Sequence, residues 1–126
     1  MEFNIPIGDI FRMEMTVDRK DTAAHYGSGL IEVFATPAMI GLMEGTAQVG
    51  IQKYLPEGYI TLGIEINVKH LKATPVGMKV YCESTVTGIE DKKIMFELLK
   101  RLLRKKAPNE YWCFVRHLRQ IAWKQP

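Results

Sequence analysis

Residues 36–54, TPAMIGLMEGTAQVGIQKY, form the stretch that decides the fold of this chain. Thr36 and Pro37 predict an N-cap and a first helical position, where the missing N–H of proline costs no hydrogen bond. Apolar residues then spread around every side of the predicted helix, and Pro56 and Gly58 end it. Because a helix that is apolar nearly all round must be covered, we expect other elements to pack on most of its sides.

This helical region is almost without charge, since the twenty residues from 33 to 52 contain a single ionisable side chain, Glu44. Such a run raises the alternative of a membrane-spanning helix. Pro37, several glycines, Gln48 and the central carboxylate argue against that alternative, because each is costly or disruptive in a lipid-facing helix. We therefore expect a core helix, and no membrane partner.

The rest of the chain predicts a sheet around this helix. Residues 59–71 alternate strictly and predict a strand whose buried face holds Ile60, Leu62, Ile64, Ile66 and Val68. Further strands are predicted at residues 11–18, 78–89, 92–99 and 111–123, residues 19–35 are irregular, and residues 100–110 are ambiguous. Short connections favour antiparallel pairing. The prediction is an α+β fold over residues 1–126 as one domain, with one long helix wrapped by about five antiparallel strands.

Composition agrees with a single globular domain, since 47% of the 126 residues are hydrophobic and 25% are charged. A collagen-like, low-complexity or disordered chain is excluded. The two cysteines, Cys82 and Cys113, are too few for a disulfide scaffold or a cysteine-built zinc site. We interpret both as small buried hydrophobes of a cytoplasmic protein, and we expect neither a metal nor a cofactor.

Charge is distributed unevenly, with a net charge of −4 over residues 1–90 and +7 over residues 91–126. The basic excess lies mostly in Lys100, Arg101, Arg104, Lys105 and Lys106. Such a cluster could contact nucleic acid, a membrane surface or the phosphates of coenzyme A. No aromatic-glycine RNA-binding pattern accompanies it, so we favour a solvated turn over a nucleic-acid partner.

Two polar residues fall where polarity is costly. Glu44 interrupts the apolar helix, and a carboxylate there must be paired or must line a cavity. His70, counted by twos from Ile60, falls on the buried face of its strand. Each residue alone is more often structural than functional. Together they point from the helix and from the covering sheet toward one apolar space, which makes them a candidate active site.

The sequence resembles the fluoroacetyl-CoA thioesterase-like family of hot-dog proteins over about residues 10–97. The resemblance is carried by EVFATPAM at 32–39, LMEGTA at 42–47, LG at 62–63, VKH at 68–70 and ATPVG at 73–77. It implies the hot-dog fold, usually dimeric or of higher order, with active sites at the subunit interface. It also implies an acyl-CoA substrate and hydrolysis of its thioester bond. A non-catalytic acyl-CoA-binding module of the same fold is the alternative.

Thr36, Glu44 and His70 match the positions of the family's catalytic threonine, glutamate and histidine. Glu44 would attack the thioester carbonyl or activate water for that attack, and both roles stay open. Thr36 would hydrogen-bond the carboxylate or the substrate carbonyl, and His70 would assist as a proton shuttle. The irregular segment around His25, Tyr26 and Gly27 either contributes to the pocket or is a plain surface loop, and we favour the loop.

The family also carries a histidine-x-arginine pair on its last strand, and His117 and Arg119 match that pair as predicted substrate-binding residues. The glycines that precede the pair in the family are absent here, and residues 98–116 depart from the family pattern. This stretch is either a diverged hairpin or a segment read in a shifted frame. Residues 94–103 also fit a basic amphipathic helix.

Overall fold

The computed structural model describes residues 4–71, 73–102 and 111–126, with the side chains at 101–102 and 111–117 outside the description. Its main elements are β1 (Ile10–Thr16), α1 (Ala23–Tyr26), α2 (Thr36–Ile51), β2 (Tyr59–His70), β3 (Lys79–Glu90), β4 (Lys93–Leu102) and β5 (Tyr111–Lys124). Short 3-10 turns lie at Arg19–Asp21 and Gln52–Tyr54. The predicted long helix and five strands are confirmed, with ends that differ by three residues or fewer.

The strands form one antiparallel sheet in the order β1-β3-β4-β5-β2, so β1 and β2 are its edges. The predicted antiparallel pairing is confirmed. The alternative of a basic amphipathic helix at 94–103 is wrong over 94–102, because Ile94, Phe96 and Leu98 are buried with the period of two that a strand requires. β4 and β5 pair with each other. Residues 103–110, which connect them, lie outside the described residues, so the choice between a diverged hairpin and a shifted frame stays open.

Helix α2 packs against this sheet through one stripe of its surface. Met39, Met43 and Ala47 lie four residues apart and are fully buried, so they meet the sheet from one side of the helix. Phe11 of β1 packs closely over Gly50, where a Cβ atom would overlap the phenyl ring. One side of the helix stays open within one chain, since Val49 is 59% exposed. No helix among the described residues has the length and apolarity needed to span a membrane.

Strand β2 does not keep one face toward the core. Its register with β5 shifts between Gly63 and Glu65, which inserts Ile64 as an extra residue on β2. A bulge of this kind exchanges the two faces of a strand. Before the bulge, Thr61 is buried and the predicted core residue Leu62 is 43% exposed; the bulge residue Ile64, also predicted in the core, is 50% exposed. The prediction of one continuous apolar face is therefore wrong for the first half of β2.

The core between α2 and the sheet is closed by β3, β4 and β5. Its fully or nearly fully buried strand residues are Val80, Cys82, Val86, Ile94, Phe96, Leu98, Leu118 and Ala122. Burying each large aliphatic or aromatic side chain contributes about 1.5–3 kcal/mol. The expected burial of Cys82 is confirmed, whereas the Cys113 side chain lies outside the described residues.

Candidate active site

Thr36 occupies the first turn of α2, but it does not cap the helix. Ala35 is the N-cap residue, and no side chain caps the helix. The predicted capping role of Thr36 is therefore wrong, because the chain enters the helix one residue earlier. The Thr36 hydroxyl is exposed, and its Oγ1 lies 3.0 Å from His70 Nδ1. A side chain that the sequence explains as a cap is thus available for the site.

His70 ends β2 on the face toward the helix. Beyond the bulge, Ile66, Val68 and His70 are each partly buried, while Asn67 and Lys69 between them are exposed. The prediction that His70 faces inward is confirmed, although the bulge interrupts the parity count on which it depended. Both ring nitrogens have partners, because Nδ1 lies against Thr36 and Nε2 lies 3.4 Å from Lys100 Nζ.

Thr36 and His70 line a cavity of about 480 Å³. Ala23 and Ser28, from the segment that precedes α2, form part of its wall, together with Phe34. This segment is held down by isolated bridges from residue 22 to 34 and from 33 to 75. Ala23 and Ser28 therefore contribute to the pocket, whereas residues 25–27 are exposed and are not among its lining residues, in keeping with the surface loop that we favoured for them.

Lys100 is a residue of the site that sequence reasoning missed. It is fully buried, its Nζ donates a hydrogen bond to Thr74 Oγ1 at 3.1 Å, and it lies 5.4 Å from the centre of the Phe34 ring. The interpretation of Lys100 as part of a solvated turn is wrong. The signal was present, because Lys100 continues the buried row of Phe96 and Leu98 at a spacing of two.

Glu44 lines a different cavity, of about 300 Å³, between α2 and the edge strand β2. Its carboxylate lies over Gly63, where a Cβ atom would come within 3.0 Å of Oε1. Gln120 of β5 donates from Nε2 to the backbone carbonyl of Glu44 at 3.2 Å and accepts from Thr61 Oγ1 at 2.9 Å. Gln120 was not predicted as a site residue, although it lies between the buried residues Leu118 and Ala122 on β5.

The structure thus brings Thr36 and His70 together and leaves Glu44 apart from them within one chain. Thr36 and Glu44 are eight residues apart on the same helix, which separates them by roughly 12 Å along its axis. They line two cavities, and Glu44 is only partly buried. The carboxylate therefore satisfies the expectation that it lines a cavity, but not that it faces the imidazole of its own chain.

Arg119 is partly exposed, and its NH1 lies 3.5 Å from Glu65 Oε2 on the neighbouring strand β2. Since the adjacent Gln120 points toward the helix, Arg119 points to the opposite face of the sheet. Its Nε is buried with no hydrogen-bond partner among the described residues. The His117 side chain lies outside the description, and its backbone is paired with Asn67.

A family model described as fluoroacetyl-CoA-specific thioesterase matches residues 17–104. The chain belongs to this family. A fluoroacetyl-CoA thioesterase of Streptantibioticus cattleyicolor is 29% identical over 104 residues, covering 78% of this chain and 75% of that protein. The predicted resemblance is thereby confirmed, and the family is one of thioester hydrolases.

Solved structures of this family and its neighbours have the same fold. The fluoroacetyl-CoA thioesterase FlK superposes with a TM-score of 0.84 at 24% identity, covering 96% of this chain and 90% of that one. A hot-dog-like protein of Thermanaerovibrio acidaminovorans gives 0.81 at 22% identity, with 94% and 84% covered. A thioesterase superfamily member of Thermus thermophilus gives 0.84 at 20% identity, with 96% and 85% covered. The predicted hot-dog fold is confirmed.

Proposed function

We propose that the protein hydrolyses a short acyl-CoA thioester in the cavity that contains Thr36 and His70. The observation that carries this proposal is the hydrogen bond between these two side chains at the first turn of α2. The first N–H groups of a helix have no acceptor within the helix. Together with the Thr36 hydroxyl, they are suitable donors to a thioester carbonyl oxygen, which gains negative charge during attack.

Glu44 is the proposed source of the attacking group. In one route it accepts a proton from water while the water oxygen bonds to the carbonyl carbon. In the other route a carboxylate oxygen attacks that carbon, and water then hydrolyses the resulting anhydride. In both routes the carbon–sulfur bond breaks, and the coenzyme A sulfur leaves as a thiolate that takes up a proton. The products are a carboxylic acid and free coenzyme A.

We propose a two-fold dimer in which Glu44 of one subunit completes the Thr36 and His70 site of the other. Strand β2 is an edge of the sheet, and its exposed Leu62 and Ile64 lie near the Glu44 cavity, which Leu62 also lines. An exposed apolar edge strand is a ready surface for pairing with another chain. Such an interface would also cover Val49 on the open side of α2.

The remaining assignments extend this proposal to the coenzyme A moiety. Arg119 is proposed to bind a coenzyme A phosphate together with His117, because its side chain is partly exposed and its buried Nε has no hydrogen-bond partner among the described residues. The protein is proposed to act in the cytoplasm as one domain over residues 1–126, in keeping with its low cysteine content.

The test is release of free thiol from a panel of acyl-CoAs, beginning with acetyl-CoA and fluoroacetyl-CoA because the Streptantibioticus cattleyicolor relative is named for the latter. Steady-state release by the wild type supports hydrolysis. Saturable binding of the same compounds without thiol release would contradict hydrolysis and favour the alternative, a non-catalytic acyl-CoA-binding module.

The shared site is tested by mixing two inactive variants, Glu44→Gln and His70→Ala, under conditions that exchange subunits. A heterodimer then has one site with both native residues if the site is shared between subunits. With random exchange, about one quarter of the wild-type activity should return, since half of the dimers are mixed and each has one intact site. No recovery, with exchange verified by mass spectrometry, would place the whole site within one chain.

A further inference from the structure

Lys100 is a buried ionisable side chain that the proposed mechanism does not use. It is fully shielded from solvent at the end of the inward-facing row of β4. The described surroundings of Nζ are the Thr74 hydroxyl at 3.1 Å, His70 Nε2 at 3.4 Å and the Phe34 ring, whose centre is 5.4 Å away. A hydroxyl oxygen, an imidazole lone pair and an aromatic face all stabilise a cation, so these surroundings suit a charged lysine.

The contact between Lys100 and His70 determines which imidazole nitrogen carries a proton. An ammonium group has three N–H donors and no acceptor. His70 Nε2 must therefore present a lone pair to Lys100, and a neutral imidazole then carries its proton on Nδ1. In a doubly protonated ring, the N–H at Nε2 would face the ammonium group, so two donors and two positive charges would lie in contact. Both effects disfavour the doubly protonated ring.

The protonated Nδ1 in turn sets the direction of the Thr36 hydroxyl. Thr36 Oγ1 and His70 Nδ1 lie 3.0 Å apart. When Nδ1 carries the proton, it donates to Oγ1, and the hydrogen of the Thr36 hydroxyl is then free to point elsewhere. In the opposite tautomer, Nδ1 would accept from the hydroxyl, and Thr36 would have no hydrogen left for a substrate. The protonation of His70 is therefore coupled to the donor capacity of Thr36.

We propose that Lys100 is a positioning residue that holds His70 in the neutral, Nδ1-protonated tautomer and thereby turns the Thr36 hydroxyl into a hydrogen-bond donor toward the cavity. The recipient of that donation is the thioester carbonyl oxygen, and this part rests on the proposed function. The tautomer itself does not depend on any activity.

The tautomer is measured from the imidazole nitrogens of the full-length protein by long-range ¹H–¹⁵N NMR, with His70→Ala used to assign the His70 signals. The wild type should carry the His70 proton on Nδ1. Lys100→Met, which keeps the length of the side chain and removes its donors, should move most of that proton to Nε2. Lys100→Gln, whose amide N–H can still donate, should retain the Nδ1 proton.

Lys93→Met is the matched control, because Lys93 is an exposed lysine on the same strand and its loss changes the net charge equally. It should leave the tautomer as in the wild type. A proton on Nε2 in the wild type would mean that the lysine is a neutral acceptor, and it overturns the proposal whether or not any variant folds. An Nδ1 proton that persists in Lys100→Met overturns it as well.

Kinetics separate this proposal from the proposed function. Lys100→Met should lower kcat roughly 10- to 100-fold with KM nearly unchanged, since a donor to the transition state is lost. Lys93→Met should match the wild type. A loss confined to KM would overturn the positioning role. Absence of thiol release by the wild type would remove the proposed function and leave the tautomer to be decided by NMR.

Discussion

The first and third turns of α2 each present one polar side chain to a cavity, but they are built differently. In the first turn, Thr36 is held by His70, which in turn meets the buried Lys100 of the same chain. In the third turn, Glu44 lies against Gly63 on an edge strand and is only partly buried. The first site is organised by packing within the chain, whereas the second is open on the side where β2 has no neighbouring strand among the described residues.

This contrast has a chemical reason. A hydroxyl that has to donate toward a substrate needs fixed neighbours, because the direction of its hydrogen depends on which group donates to its oxygen. A carboxylate that attacks or activates water needs room for water and substrate, so an enclosed position would not serve it. Substitutions around these two turns should therefore differ in effect. Loss of the attacking group should reduce activity most, and changes farther away should affect mainly stability.

The largest effect is expected for Glu44→Gln. It removes the proposed attacking or water-activating group while keeping the shape of the side chain, so kcat/KM for the best acyl-CoA should fall about 10²- to 10⁴-fold. Circular dichroism should show an unchanged fold. Glu57→Gln, at an exposed glutamate beyond the helix, is the control and should keep full activity. Near-normal turnover by Glu44→Gln would show that Glu44 neither attacks the thioester nor activates water.

A smaller loss is expected for Gly63→Ala. The new Cβ would lie 3.0 Å from Glu44 Oε1, so the flexible carboxylate must move while the backbone can stay. The carboxylate has to move by only a few tenths of an ångström, so kcat should fall by roughly 3- to 10-fold, less than the about 100-fold loss that a misplacement of about 1 Å can cause.

Gly88→Ala is the matched control for Gly63→Ala. It also adds a methyl group to a strand glycine, and its Cβ would meet the mobile end of Met95 at 2.8 Å. The two variants should have similar melting temperatures, and only Gly63→Ala should lose activity. Equal activity in both would show that the position of Glu44 is not set by its contact with β2.

For Gln120→Ala, we expect mainly a loss of stability and little change in activity. This buried amide joins the third turn of α2 to β5 and β2 through its contacts with the Glu44 carbonyl and Thr61. Its loss leaves a buried hydroxyl without its acceptor and should reduce the free energy of unfolding by about 1–3 kcal/mol. Urea denaturation measures this change. Gln125→Ala, at an exposed residue, should change it little, and an equal loss there would contradict the anchoring role.

The smallest effect is expected at Tyr54, which lies outside both turns of α2, and it concerns the pKa of this residue. Its hydroxyl donates to Asp9 Oδ2 at 2.5 Å. This hydrogen bond, with further contributions from desolvation and the Asp9 charge, raises the pKa of Tyr54 above 10.0. Because the folded state favours the protonated phenol, the associated stability is present below pH 10 and is lost as pH rises through the raised pKa.

Ultraviolet titration, with Tyr54→Phe to isolate the signal, should give a midpoint above 10 for Tyr54. Asp9→Asn should bring the midpoint back toward 10, because it removes the charged acceptor. Neither variant should alter thiol release, since both residues lie outside the two cavities' described linings. A Tyr54 midpoint that is the same with and without the Asp9 carboxylate would contradict the assigned cause.

Several features of the site could be predicted from local pattern. The position of α2 follows from Pro37 and the apolar run, and His70 and Glu44 stand out because they are ionisable within apolar periodicity. Lys100 could have been found by the same parity, since it follows Phe96 and Leu98 on one strand face. It was missed because five basic residues close together resemble a solvated surface.

Other features depend on pairing between distant segments. The bulge at Ile64 exchanges the faces of β2, and it arises from register with β5, some sixty residues later in the chain. No alternation within β2 can reveal it, because the extra residue is defined only relative to the partner strand. The exposure of Leu62 and the packing of Gly63 under Glu44 follow from that register.

The sequence by itself determined the element order, the antiparallel α+β architecture, the family and the identity of Thr36, Glu44 and His70 as candidates, because these depend on local periodicity and short motifs. Only the tertiary structure decided that Thr36 bonds His70 instead of capping its helix, that Lys100 lies behind the imidazole, and that Glu44 faces an edge strand. The physical reason is that hydrogen-bond partners and burial are properties of contacts between strands and helix far apart in the chain, which no local pattern encodes.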